Sequence, residues 1–113
     1  MSEAATQSRP WKAEPASRAQ RDRAFAAFDL LWKDAVGEYD LNDAAPAARE
    51  RVASNILRRA RQRARQWLAA ELGISVEDCR ITDFDAMTCA RVEHLCKHVT
   101  PADVRAWAKE RGL

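Results

Sequence analysis

Apolar residues recur every three or four positions along most of the chain, which is the period of an amphipathic α-helix. The first such stretch opens at Ser17, a favourable N-cap, and closes before Gly37, a favourable C-terminal stop. Its apolar positions are Phe25, Phe28, Leu31, Trp32 and Ala35. Aromatic residues at this spacing form protein cores far more often than ligand sites, so the pattern predicts a first helix over 17–36 with a core-facing stripe.

A second, longer helix is predicted between Asp43 or a neighbour as its cap and Gly73 as its stop, with Pro46 in the first turn. At ~1.5 Å per residue it would extend over roughly 40 Å. This length leaves a bend near Ser54 as an alternative to one straight helix.

Two shorter helices complete the predicted fold. Thr82, supported by Asp85, precedes a helix over 86–99, and Thr100 with Pro101 opens the last one, which Gly112 ends. Because caps, stops and periodicity agree, the sequence predicts an all-α fold, a compact bundle of about four main helices with short capped connections.

The predicted domain organisation is one helical domain over 17–113 preceded by a flexible N-terminal tail over 1–16. The tail is polar, has no period, and is broken by Pro10 and Pro15. Trp11 is its only anchor, and docking on the chain's own domain is favoured over contact with a partner. A chain of 113 residues suits a single hydrophobic core.

Charge is strongly segregated along the chain, although the formal net charge is only +2. Residues 49–65 hold seven arginines against one acid, and residues 71–103 hold seven acids against three basic residues. A helical wheel of the second helix places its apolar positions on one side: Val52, Ile56, Ala60, Ala64 and Trp67. The candidate partner-binding residues lie opposite or at the border of that side: Arg51, Arg58, Arg59, Arg61, Arg63 and Arg65.

These six residues, called the arginine set below, allow three interpretations. They could lie along the phosphates of a nucleic acid, with salt-dependent and sequence-tolerant affinity. They could pair with carboxylates of a protein partner, for which the planar guanidinium is well suited. Alternatively, they could form a solvated face paired with the chain's own acids, such as Glu71, Glu93 and Glu110.

Other chemistries find less support in the sequence. The residues that could ligate a metal are Cys79, Cys89, His94, Cys96 and His98. His94 and His98 share one helix face, but the cysteines of that helix lie on the other, so buried thiols and solvated histidines are expected and no metal. Without a glycine-rich phosphate loop or a credible nucleophile–base pair, we predict a non-enzymatic protein without a cofactor.

The segment WLAAELGISVEDC has the composition of a helix-turn-helix corner, but its second helix would present Glu77, Asp78 and Asp83 to DNA, which disfavours groove binding. No apolar run approaches the ~20 residues of a membrane span, and the N-terminus lacks the apolar core of a signal peptide. Three cysteines, an odd number, favour reduced thiols. We therefore expect a cytoplasmic protein without membrane contact.

Two segments, AFAAFDLLWK (24–33) and RQWLAAELGISVEDCRITDFDAMTCARVEHLC (65–96), carry a family resemblance. They resemble the C-terminal half of a small zinc-finger-containing domain of unknown function found in phages, prophages and plasmids. The matching positions are Phe28, Asp29, Leu31, Trp32, Trp67, Leu68, Ala69, Leu72, Gly73, Ile74, Cys79, Ile81, Phe84, Asp85, Cys89, Val92 and Cys96. The family's Cys-x-x-Cys zinc ribbon is absent here, so its metal is not carried over.

The C-terminal TPADVRAWAKERGL is similar to the first helix of a small bacterial nucleoid-protein DNA-binding domain. Together the resemblances imply a mobile-element protein, a class rich in nucleic-acid binders and small inhibitors of host machinery. The expectation is an accessory protein that binds nucleic acid through the arginine set. The alternatives are an inhibitor or adaptor that binds a host protein complex, for example of the anti-CRISPR type, and a homodimer joined through the helices.

Overall fold

The computed structural model describes residues 14–113 and confirms the all-α prediction. Over this range the helices are α1 (Arg18–Asp29), α2 (Pro46–Leu72), α3 (Ala86–Lys97) and α4 (Pro101–Glu110), with short 3-10 turns at Ala35–Glu38 and Ile81–Asp83. The described residues contain no strand, only an isolated bridge between Pro15 and Asp85. The predicted tail up to residue 13, with Trp11, lies outside the described residues.

The first helix begins as predicted but ends seven residues early, at Asp29 rather than Val36. Ser17 caps it through a capping box with Gln20. After Asp29 the chain continues in turns with mostly i→i+3 backbone hydrogen bonds, and Gly37 lies inside the 3-10 turn Ala35–Glu38. The predicted end was wrong because the turns also direct the apolar residues towards the core, so Leu31 is buried without a continuous α-helix.

The second helix has the predicted bounds, and Gly73 ends it in the left-handed conformation, at φ 71° and ψ 31°. The cap was wrong, because Ala45 occupies the N-cap position with no side-chain hydrogen bond. Instead, the Arg49 Nε group donates to the carbonyl oxygen of Ala44 over 2.8 Å. Pro46 holds the first position, where its missing N–H costs no helical hydrogen bond.

Only the C-terminal half of α2 is part of the core. Its first buried residue is Ala60, and residues 46–59, called the arm below, contain none. The predicted buried stripe is therefore wrong at Val52, which is 38 % exposed, and Ile56 is only half-buried. The α1 and α3 helices have 12 residues each, or ~18 Å, and cannot cover both halves of a ~40 Å helix.

The core joins α1, α3, α4 and the C-terminal half of α2, and α1 and α3 form the most extensive helix contact. Asp85, rather than Thr82, caps α3, and its buried carboxylate accepts from the Thr88 N–H over 2.8 Å. Residues 14–16 adjoin this cap, because the Ala86 N–H donates to the Glu14 carbonyl oxygen and Ala16 is buried. These three residues therefore pack with the helical domain.

The last two helices lie close to their predicted bounds. The α3 helix ends at Lys97, two residues before Val99, and Thr100 then caps α4. The cap is a capping box in which Thr100 and Asp103 each accept the other's backbone N–H. These bonds lower the pKa of the Asp103 carboxyl, chiefly through the Thr100 backbone. Val104 and Ala108 are the buried residues of α4.

Candidate functional site

The structure divides the arginine set between two sides of α2. Arg58, Arg61 and Arg65 line an open groove, as expected of residues at i, i+3 and i+7 on one helix face. Arg63 lies on the other side, facing α4. Arg51 and Arg59 are exposed on the arm and line neither site.

The groove has a volume of about 750 Å³ and is bounded by three parts of the chain. One wall is the middle of α2, the opposite wall is the 76–82 segment, and α1 with the turn after it supplies the floor. The apolar lining residues are Phe25, Phe28, Trp32, Leu57, Leu68, Val76, Cys79 and Ile81. The polar ones are Arg58, Arg61, Gln62, Arg65, Arg80 and Thr82, so no acid lines the groove within the described part of the chain.

Two guanidinium groups are held in place by contacts inside the groove. The half-buried Arg65 donates from Nε to the carbonyl oxygen of Cys79 over 3.0 Å, which joins α2 to the opposite wall. The guanidinium carbon of Arg61 lies 5.6 Å from the centroid of the Trp32 ring, within the range of a cation–π contact. The Trp32 Nε1–H donates to the Asp29 carboxylate over 3.1 Å, which fixes the ring.

Across residues 14–113, no member of the arginine set forms an ion pair. Glu93 pairs with Arg23 at 3.5 Å and with Lys97 at 2.7 Å. The hydrogen bond from Lys97 lowers the pKa of the Glu93 carboxyl. Glu110 pairs with the neighbouring Arg111. Glu93 and Glu110 therefore pair with residues outside the arginine set, whereas the exposure of Arg51, Arg58, Arg59 and Arg61 agrees with a solvated face.

Arg63 has different surroundings from the groove arginines. It borders a small cavity of about 10 Å³ between α2, the Ala35–Glu38 turn and α4. On the same cavity, Arg105 of α4 pairs with Glu38, with its Nη1 2.8 Å from Oε2. This side of α2 is occupied by the chain's own helix packing, which separates Arg63 from the other candidate residues.

The cysteines and histidines do not form a common site. Cys79, Cys89 and Cys96 are buried, whereas His94 and His98 are exposed with ring centroids 4.3 Å apart. Burial raises the pKa of Cys79 to about 11 and that of Cys96 to about 12, so both thiols are protonated at neutral pH and are weak nucleophiles. Within the described range, no three His, Cys, Asp or Glu side chains are grouped to hold a metal ion.

The helix-turn-helix alternative is wrong. After Gly73 the chain forms a turn whose Ser75 hydroxyl accepts the Asp78 N–H, followed by the 3-10 turn Ile81–Asp83. The next α-helix begins only at Ala86. A recognition helix would have to follow the corner directly, and this segment forms the groove wall instead.

The groove contains residues that sequence reasoning assigned otherwise. Arg80 belongs to an acidic segment of the sequence, yet it lines the same groove as Arg58, Arg61 and Arg65. Phe25 and Trp32 were predicted as core, but both are half-buried and border the groove. Their aromatic character was visible in the sequence, but their remaining exposure depends on what packs beside them.

Comparisons with known proteins add no identification: no family model matches the chain, and neither a curated protein nor a solved structure matches it. The resemblance to the mobile-element family therefore stays a prediction. Across residues 14–113, no helix combines the length and the apolar character needed to cross a membrane.

Proposed function

We propose that this protein is a non-enzymatic nucleic-acid-binding protein that contacts the phosphate backbone through Arg58, Arg61, Arg65 and Arg80. The observation that carries the proposal is the grouping of these four arginines around one groove that no acid lines among the described residues. Arg80, like the three on α2, forms no ion pair within residues 14–113.

Electrostatics explains why such a group favours a polyanion. Arginines that share one helix face repel each other, and a phosphate backbone relieves this repulsion. The nucleic acid in turn releases the counterions condensed on the phosphates that the arginines neutralise. Arg58 to Arg65 extends over ~10 Å of helix, a length that several successive phosphates can follow. Arginine rather than lysine also suits this role, because its planar fork donates two parallel hydrogen bonds to a phosphate.

The proposed biological setting is an accessory protein of a phage or another mobile element. It rests on the resemblance of residues 24–33 and 65–96 to the family described above, and this resemblance supplies no reaction. A second candidate function, a protein-binding inhibitor or adaptor, is favoured by the apolar floor of the same groove. An amphipathic acidic helix of a host complex could place its apolar side there.

The test is fluorescence anisotropy of a labelled 20-base-pair duplex and of its single strand, each at about 50 and about 200 mM salt. If four phosphates are neutralised, the logarithmic slope for the duplex is about −3.6, and affinity falls about a hundredfold over that range. Arg61→Glu should weaken binding roughly tenfold or more. Lys109→Glu, an equal charge change on exposed α4, is the control. The absence of binding to both ligands at low salt would overturn the proposal.

A further inference from the structure

We infer that the groove binds single-stranded nucleic acid, with bases entering over Trp32 while the phosphates lie on the rim formed by Arg58, Arg61, Arg65 and Arg80. This inference rests on the proposed function and names the form of nucleic acid that fits the site. Its basis is the combination of apolar, partly aromatic lining residues with four arginines and no acid among the described lining residues.

The shape of the site separates the two forms of nucleic acid. A duplex keeps its bases stacked inside, so it can touch the arginines but leaves an apolar groove of about 750 Å³ unfilled. That volume lies within the ~300–1,000 Å³ typical of sites that enclose ligands. A single strand can turn its bases into the groove, which buries its apolar surface and the groove's together.

Trp32 is the proposed stacking surface. Its hydrogen bond to Asp29 fixes the ring before any ligand arrives, and Arg61 already lies over the ring as a planar cation. Arg61 and Trp32 thus provide two flat groups, both of which stack on nucleic-acid bases. The half-buried Phe25 extends the apolar surface beside them. Stacking on aromatic side chains changes affinity about 5- to 150-fold per base.

The lining also determines which base makes the most informative probe. Among the lining residues within 14–113, Gln62 and Thr82 are the uncharged polar ones, and both are exposed. Within the described residues, the lining holds no carboxylate to accept from the amino group of cytosine. Arginine pairs with guanine edges and glutamine with adenine edges, so a thymine oligomer such as (dT)12 is the suitable probe for affinity that comes from stacking and charge.

The experiment compares three labelled ligands by anisotropy at about 50 mM salt: (dT)12, an abasic 12-mer with the same phosphates, and a 12-base-pair duplex. The variant is Trp32→Leu. Trp107→Leu is a matched control. Trp107 is also half-buried beneath an arginine, and the Arg111 guanidinium carbon lies 4.6 Å from the centroid of its ring. Trp107 differs from Trp32 in that it lies outside the groove. Thermal melting of each variant checks its folding.

We expect (dT)12 to bind at least about tenfold more tightly than the abasic 12-mer and the duplex. Trp32→Leu should remove most of that difference, while Trp107→Leu leaves it unchanged. Equal affinity for (dT)12 and the abasic 12-mer would overturn the inference and leave backbone binding intact. If none of the three ligands binds, the proposed function fails as well, and an acidic protein partner becomes the occupant to test.

A second measurement uses only the wild-type chain, in case Trp32→Leu does not fold. A (dT)12 oligomer carrying 4-thiothymidine is crosslinked by light, and the adducts are mapped by mass spectrometry. Adducts on Trp32, Phe25 or their groove neighbours are expected. Adducts confined to residues outside the groove would overturn the inference.

Discussion

The guanidinium of Arg65 donates from Nε to the carbonyl oxygen of Cys79 over 3.0 Å, and this bond joins the two walls of the groove. Because Arg80 directly follows Cys79, the same bond also helps to fix where the fourth groove arginine lies. Arg65 therefore has a structural role in addition to its charge, which distinguishes it from the exposed Arg58.

Arg65→Lys should separate the two roles. Lysine keeps the charge but lacks the planar Nε donor, so the free energy of unfolding should fall by about 1 kcal/mol, the usual contribution of one hydrogen bond. Urea denaturation measures this. Arg58→Lys, at an exposed position, should change stability by less than about 0.5 kcal/mol. Equal stability of the two variants would show that the Arg65 bond contributes nothing.

Arg58 and Arg59 form a matched pair for testing which face of α2 binds. Both are exposed on the same helix, neither has an ion pair among the described residues, and only Arg58 lines the groove. The affinity of Arg58→Glu for a labelled single strand should therefore be roughly tenfold lower than that of Arg59→Glu. Equal losses would instead support binding along the whole arginine set, regardless of the groove.

Asp85→Ala should be strongly destabilising, because its buried carboxylate caps α3 beside the contact with residues 14–16. We expect the free energy of unfolding to fall by about 2 kcal/mol, at the upper end of N-cap losses. Asp83→Ala, exposed in the preceding 3-10 turn, is the control and should change it by less than about 0.5 kcal/mol. A thermal melt compares both, and similar melting temperatures would contradict the cap's importance.

The buried thiols predict both slow alkylation and a loss of stability at high pH. Cys79 and Cys96 have pKa values of about 11 and about 12 in the folded chain, above the ordinary value of 9.0. Between pH 9 and pH 12 the folded state binds more protons than the unfolded state. The thiols' contribution to the free energy of unfolding is therefore complete below pH 9 and is lost as the pH rises towards 12.

Iodoacetamide labelling at pH 8 measures the first effect, with the chain in urea as the control in which all three cysteines should react rapidly. Urea denaturation at pH 8 and pH 10 measures the second, and Cys79→Ala should make the loss smaller. Rapid labelling of Cys79 in the native chain would contradict its burial.

The arm should undergo local unfolding more readily than the rest of α2. Residues 46–59 have no buried side chain, whereas residues from Ala60 onwards pack in the core. Native hydrogen exchange should therefore be at least about tenfold faster in the arm than at residues 64–70, because local opening there breaks few apolar contacts. Uniform protection along α2 would indicate that the arm is covered by a second molecule.

Local signals in the sequence predicted the helices well. Ser17, Thr100 and Gly73 act through hydrogen bonds and backbone conformations within a few residues, so their positions fixed three helix ends. The end of α1 could not be predicted in this way. The spacing of Phe28, Leu31 and Trp32 fits both a continuous helix and the turns that replace it. Only tertiary packing distinguishes these two conformations.

The candidate site was predictable in part. The helical wheel placed Arg58, Arg61 and Arg65 together, and the structure keeps them on one face. The helical wheel could not show the groove, because the turn after Gly73 brings residues 76–82 back beside α2 and so forms the other wall. The exposure of Val52 was also hidden, since periodicity describes one helix face and says nothing of whether another element covers it.

The division of α2 into a packed half and an arm separates positions that the fold constrains from positions that it leaves open to change. At Ala64 a larger side chain would have to displace the core, because this position is fully buried. At Arg51 or Arg59 a new side chain meets only solvent, so it alters the electrostatic surface without opening a cavity. Surface charge can therefore drift along the arm, while the packed half, which also carries the groove residues Arg61 and Arg65, continues to specify both the fold and the groove.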